Sequence, residues 1–427
     1  MTRACFTHML RCGNRELCSG RGAFFRLFYL PAFGTIRLMQ WLRTVWRRRW
    51  VRWSVCVASG MAVAAYGANL LVAQTLCRSG EWRGPVTDHF DGRHFHVADE
   101  VEQGSFLRAL EWFCFRDPGF YPVVAANADV PELAGEVAPG GWEATMVNHS
   151  TVLLRLRGLN VLTDPVWSDR VSPVQWSGPK RCRPAGIAWE DLPKVDAVLL
   201  SHDHYDHFDV ETLQRLVKRD NPLFIVPLGM KSLLEYHCGR ARVREIDWWQ
   251  ETAVETAAGP VAVTLTPAKH YSGRYRSEEW KNRSLWGGFF IRSHDGVKVY
   301  FAGDSAWTPF FAEIRERLGE PDLAILSIGA YKPLDFIAKA HLTPQQAVKA
   351  FKALGAVRGM ACHFGTWQLA DESLQETLDD FRAGLSSEGV QEDAFVAPFN
   401  GKTMKGRAAE GCRGEEAASP GKGEVGG

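Results

Sequence analysis

The chain has 427 residues, 46% of them hydrophobic and 23% charged, and a formal net charge of +1. That is the composition of a folded globular protein with one large domain or two ordinary ones, and it offers no global basic field for nucleic acid. Its ten cysteines form no CxxC pair, which argues against both a zinc ribbon and a disulfide framework.

The first residues, MTRACFTHMLRCGNRELCSGRG, show no periodicity and are expected to be disordered. WLRTVWRRRWVRW follows, where arginines alternate with Trp41, Trp46, Trp50 and Trp53, a mixture suited to a membrane interface. From Ser54 to Leu76 the chain carries no charged residue and is about as long as the roughly 20 residues a spanning helix needs. Residues 1–53 are therefore predicted to be a basic N-terminus and 54–76 a transmembrane or signal-anchor helix. The positive-inside rule then places the rest of the chain on the non-cytoplasmic side. Residues 77–140 offer no chemistry beyond a short helix around SFLRALEWF and are predicted to be a connector. The working domain is expected over residues 141–404, with a disordered Gly- and Glu-rich tail over 405–427.

Within that domain, TVLLRL and LNVLTDP flank turn residues around Gly158, and LWGGFFIRS and VKVYFAGD flank His294-Asp295-Gly296. Both read as hairpins. DAVLLS, LFIVPL, VAVTLTPA, DLAILSIGA and GMACHF are further β-prone runs. DVETLQRLVK has helical spacing, and LTPQQAVKAFKALG opens with Thr343 as N-cap, Pro344 and Gln346, then ends at Gly355. Hairpins mixed with helices predict an α/β protein with paired sheets covered by helices.

Four of the strands finish in a metal-ligand residue. DAVLLS runs into SHDHYDHFD, which holds His202, His204, Asp206 and His207; VAVTLTPA leads to His270, VKVYFAG to Asp304 and GMAC to His363. Strands packed side by side bring their ends to a common rim, so these seven groups are expected to converge. His202 and His204 suit one metal, Asp206 and His207 a second; His270 and His363 complete one site each, and the two oxygens of Asp304 can bridge. Asp206 and Asp304 are the predicted catalytic carboxylates. Nitrogen and carboxylate ligands with open positions favour two zinc ions, with iron or manganese as substitutes. Two such ions about 3.5–4 Å apart lower the pKa of a shared water towards about 7, which implies hydrolysis of an ester, amide or phosphodiester. Asp164, in LTDPVW, is read as an acceptor that orients a ligand. His237 and His294 are read as structural, and Cys362 as a core residue.

These motifs resemble the metallo-β-lactamase superfamily signature HxHxDH with its distal His, Asp and His. NHSTVLLRLRGLNVLTDPVWSDRVSPVQWSGPKR, KHYSGRYR, SLWGGFFI, YFAGDSAW, IGAYKPLDFIAKAHLTPQQAV and CHFGTWQLADE resemble, more narrowly, the N-acyl-phosphatidylethanolamine-hydrolysing phospholipase D branch. The resemblance implies an αββα sandwich with a dinuclear zinc site at one rim. His202, His204 and His270 would hold one ion, Asp206, His207 and His363 the other, and Asp304 would bridge. It further implies a phospholipid substrate at a membrane surface, attacked by a bridging hydroxide to give phosphatidic acid and an N-acylethanolamine. His341 and Arg274 match positions on the substrate side, where an imidazole or a cation could meet phosphate. His149, in NHST, stands where many relatives carry a glycine before the histidine. A lactone or small-ester hydrolase of the same fold is the alternative enzyme, and a metal-binding membrane protein without turnover is the alternative from another class.

Overall fold

The computed structural model describes residues 39–41, 44, 49–97, 106–275 and 279–409. The disorder expected at the extreme N-terminus and over most of the tail falls outside them. The chain divides into two units, Met1–Leu70 and Leu71–Gly427. A 27-residue helix, α1, runs Arg49–Thr75. The sequence predicts a membrane span here. The helix forms, but among the described residues none is long and apolar enough to cross a membrane. Ser54, Ser59, Gly60, Gly67 and Gln74 dilute its apolar residues.

In the second unit the β-prone runs pair into two sheets. Strands β1 (Gly141–Asn148), β2 (Thr151–Leu156), β3 (Leu159–Thr163), β4 (Ala197–Leu199), β5 (Leu223–Pro227) and β6 (Arg242–Ile246) lie in sequence order in the first sheet. Strands β7 (Glu251–Val254), β8 (Val261–Thr266), β9 (Gly288–Ser293), β10 (Lys298–Phe301), β11 (Leu323–Ser327), β12 (Arg358–Cys362) and β13 (Phe395–Val396) do so in the second. The last strand, β14 (Thr403–Arg407), returns antiparallel to β1, so each sheet has seven strands. Both predicted hairpins are present, β2 with β3 and β9 with β10, and both sheets turn parallel beyond them.

Side-chain alternation explains the layers. Leu154, Val161, Ala197 and Leu199 meet Val263, Leu265, Ile291, Val299 and Ile325 in a core between the sheets. Their neighbours Leu153, Leu162 and Val198 face outward with Leu213, Leu216, Leu233 and Leu234. Those leucines belong to helices α3 (Val210–Arg219) and α4 (Met230–Cys238). Ala324, Leu326 and Ala361 likewise face α5 (Phe310–Leu318), α6 (Pro344–Leu354) and α7 (Leu374–Glu388). Strands buried on both faces read as unbroken apolar runs, as these do. Thr343 and Gln346 form the predicted capping box of α6. The arrangement is the α/β fold of the metallo-β-lactamases.

The predicted connector does more than connect. Phe90, Phe95 and Val97 are buried in the core between the sheets, and residues 77–97 form a strap across it. Glu81 N–H donates to Gly229 O at 2.9 Å and Trp82 N–H to Arg283 O at 2.8 Å. The predicted short helix, α2, spans Phe106–Phe115 and docks through Trp112 Nε1, 2.5 Å from Asp371.

The strap carries a pH-sensitive fastening. His89 stands between Asp88, 2.6 Å away, and Asp247, 2.8 Å away, with its ring stacked on Trp248 at 4.7 Å. The hydrogen bond to Asp247 raises its pKa above the ordinary 6.5, against the effect of burial. A raised folded value means the fastening contributes fully below about pH 6.5 and is lost as pH rises through that value. We expect His89→Phe, which keeps the stacking, to increase amide exchange over residues 86–97 at pH 6 and to flatten its pH dependence. Equal exchange in parent and variant across that range would refute the linkage.

Candidate metal centre

The loops after β4, β8, β10 and β12 bring the seven predicted ligands together, buried or nearly so. The loop after β4 is held from several directions. Phe208 is buried in the outer core beneath α3, and His207 N–H and Phe208 N–H both donate to His204 O. Asp203 accepts from Gly273 N–H at 2.6 Å and from Gly80 N–H of the strap at 3.2 Å. Gly303, at φ 59°, is required next to Asp304, because a Cβ there would lie 2.6 Å from Ser201 Cβ.

On one side, His202 Nε2 is 2.9 Å from His204 Nδ1, and His270 Nε2 is 3.4 Å from that same atom. On the other, Asp206 Oδ2 is 3.4 Å from His207 Nε2 and 3.2 Å from His363 Nε2. Asp304 Oδ2 lies between: 3.8 and 3.9 Å from His202 and His270, 3.1 and 3.2 Å from His207 and His363. The structure thus brings the seven residues together in two groups, with Asp304 Oδ2 between them.

Outer partners orient the rings. Ser201 Oγ is 2.8 Å from His202 Nδ1, and His270 Nδ1 donates to Ala340 O at 2.8 Å. His207 Nδ1 is 2.6 Å from Asp164 Oδ2, and Asp164 also accepts from Ser201 N–H and Oγ–H. Asp164 thus sits where the sequence predicts an orienting acceptor. Nε2 of these three histidines is left to face inward.

The electrostatics suit a cation. Burial holds His202 and His270 well below the ordinary imidazole value. Burial also opposes charge on His207 and His363, yet the carboxylates prevail: His207 is raised well above 6.5, and His363, chiefly by Asp304, to about 9. Asp206 and Asp304 stay ionised against burial because those imidazoles face them. The two carboxylates therefore demand positive charge, and among the described residues Asp304 Oδ1 has no hydrogen-bond partner. The neutral imidazoles of His202 and His270, two ionised carboxylates and an unpartnered carboxylate oxygen are a donor set that fits divalent metal.

The remaining predicted residues divide. His341 Nδ1 is 3.8 Å from Asp304 Oδ2 at the margin of the cluster, and burial lowers its pKa to about 4. Arg274 does not face the cluster. Its Nη1 donates to Asp203 O and Phe208 O at 3.0 Å each, its own N–H to Ser79 Oγ, and its guanidinium covers the Tyr205 ring at 3.9 Å. Through these contacts Arg274 braces the loop that carries His202, His204, Asp206 and His207. Tyr205 and Phe208 are packing residues. Sequence reasoning leaves one member of the cluster unassigned: His149, whose Nε2 is 3.0 Å from Asp206 Oδ2.

Paired seven-stranded sheets with this rim of imidazoles and carboxylates define the metal-dependent hydrolase class of the metallo-β-lactamase fold. Residues 159–364 match the family described as Beta-lactamase superfamily domain. The N-acyl-phosphatidylethanolamine-hydrolyzing phospholipase D 1 of Caenorhabditis elegans is 35% identical over 264 residues, 60% of this chain and 73% of that protein. An uncharacterised protein of Mycobacterium tuberculosis is 38% identical over 247 residues, and the match spans 57% of this chain and 63% of that protein's length. Among solved structures, the isothiocyanate hydrolase from Delia radicum gut bacteria aligns with a TM-score of 0.49 at 22% identity, covering 62% of this chain and 100% of that one. The chain belongs to the beta-lactamase superfamily, in its N-acyl-phosphatidylethanolamine-hydrolysing phospholipase D-like branch.

Proposed function

We propose that this protein is a dinuclear zinc phosphodiesterase that cleaves an N-acylated phospholipid to phosphatidic acid and an N-acylethanolamine. The observation that carries the reading is the 35% identity to the nematode phospholipase D over 264 residues, together with two donor sets that share Asp304. His202, His204 and His270 would hold one ion and Asp206, His207 and His363 the other, with Asp304 common to both. Bound there, the ions supply Lewis acidity towards phosphoryl oxygens and acidify water to near neutrality.

The protein's own groups do the rest. Asp304 and Asp206 keep the two halves of the site in register. Asp164, Ser201 and Ala340 O hold the imidazoles so that Nε2 faces inward. His341, kept neutral by burial, offers one N–H to a phosphoryl oxygen or to the departing alkoxide. The substrate is a bilayer lipid, and α1 is the proposed membrane attachment: Val57, Met61, Val63 and Leu71 are exposed along it.

Incubating the full-length, zinc-loaded protein with vesicles containing N-acyl-phosphatidylethanolamine tests the reading. Phosphatidic acid and N-acylethanolamine are expected in equal amounts. Hydrolysis of lactones or simple esters without any phosphatidic acid would assign the site to the other branch of the fold's chemistry.

A further inference from the structure

We infer that His149 is a positioning residue that fixes the carboxylate of Asp206 and ties it to His363 across the two sheets. The inference rests on the metal-site reading above.

Three inward-facing rings of the cluster have an outer partner: Ser201 for His202, Asp164 for His207 and Ala340 O for His270. Asp206 has His149. Its Oδ2 lies 3.0 Å from His149 Nε2, and its other imidazole neighbours, His207 and His363, are themselves proposed ligands. An ionised carboxylate only accepts, so the hydrogen is on Nε2 of His149.

Packing and backbone hold the ring to this task. His149 is 1% exposed, lies 3.9 Å from the His363 ring, and meets Trp367 edge-on at 5.4 Å. His149 and His363 both adopt left-handed backbone, at φ 44° and 62°. Such strain persists where neighbours over-determine it. Here His363 N–H donates to His149 O at 2.8 Å, and His149 N–H donates to Thr366 Oγ1 at 3.2 Å. The turn after β1 in the first sheet is thereby locked to the end of β12 in the second. One residue sets both Asp206 and the placement of His363, which come from different sheets.

His149→Phe keeps the ring and loses the N–H; His149→Gln restores an N–H near the Nε2 position; His149→Asn is too short to reach Asp206. The measurement is zinc per chain after dialysis against graded chelator, alongside melting of the chelated protein. His149→Phe and His149→Asn are expected to release one of the two zinc equivalents at roughly 10–100-fold lower chelator strength, the usual effect of losing an outer partner. The second equivalent stays as in the parent, the metal-free melting point changes little, and His149→Gln recovers most of the loss. Parent-like retention of both ions in His149→Phe would reduce the residue to packing and overturn the inference. Equal deficiency in Phe, Asn and Gln variants would overturn it in favour of direct ligation by His149. If His149→Phe does not fold, the contrast of Gln with Asn decides alone. A parent protein that binds no zinc would instead overturn the metal-site reading, and this inference with it.

Discussion

In the proposed dinuclear zinc site, Asp304→Asn is expected to abolish hydrolysis and to cost both zinc equivalents more than the roughly 100-fold in affinity that losing an outer partner costs at most. The substitution keeps shape and one carbonyl oxygen but removes the charge. In the parent, one oxygen of Asp304 lies within 3.1–3.9 Å of imidazoles from both donor sets, so among the described residues it is the carboxylate atom placed to serve both. Asp206, by contrast, faces His207, His363 and His149. Asp206→Asn should therefore weaken one equivalent and Asp304→Asn both. Elemental analysis of the dialysed variants, with turnover on the phospholipid, separates the two patterns; two zinc ions retained in Asp304→Asn would refute the shared role.

The chelated protein gives a second readout. Asp304 is the leading attraction that lifts His363 to about 9. A raised folded value contributes stability that is complete below about pH 6.5 and disappears as pH passes about 9. The metal-free parent should lose melting temperature across that window, and metal-free Asp304→Asn should lose less, because the attraction is already gone.

Much of this site is legible in the chain because its logic is periodic. β-prone runs ending in His202, His270, Asp304 and His363 predict convergence at one rim, and convergence is what the fold provides. The same regularity could have found His149. GWEATMVN is a strand, and the residue directly after it is a histidine. That run is not among those read as strands, so its histidine is left without a role. Residues 77–97 are opaque for a different reason. They enter the core at isolated points, Phe90 and Phe95, joined by single bridges rather than ladders, so neither a period of two nor one of 3.6 is written into them. Arg274 shows a third limit. A cation close to the histidine cluster can face the cluster or the backbone, and its contacts with the carbonyls of Asp203 and Phe208 are not written in the local sequence. For α1, the helix is legible from the uncharged run, whereas its capacity to span depends on summed apolarity, which small and polar residues erode.

Asp164→Asn is the substitution expected to cost most for the least change in shape. Asp164 is fully buried in left-handed backbone at φ 34°, and its two oxygens accept three hydrogen bonds, from Ser201 N–H at 2.7 Å, Ser201 Oγ–H at 2.6 Å and His207 Nδ1–H at 2.6 Å. Asp164 already accepts twice from Ser201, and the carboxylates of Asp304, Asp206 and Asp164 raise His207 well above 6.5 against burial, so Nδ1 of His207 carries the hydrogen of this contact. That tautomer is what leaves Nε2 free to face the metal. An asparagine can still serve Ser201 N–H through its oxygen, but its Nδ2 then presents hydrogens to His207 Nδ1, donor against donor. The ring escapes only by moving its proton to Nε2, where it points at Asp206 and Asp304 and occupies the lone pair a metal would use. Zinc affinity at the Asp206, His207 and His363 set should fall roughly 10–100-fold, and the unmatched buried donors should destabilise the chelated protein by about 1–3 kcal/mol. The first number is read from zinc retention against chelator, the second from denaturant unfolding. A variant with parent-like stability and two tightly held zinc ions would mean that the proton on His207 is not set by Asp164.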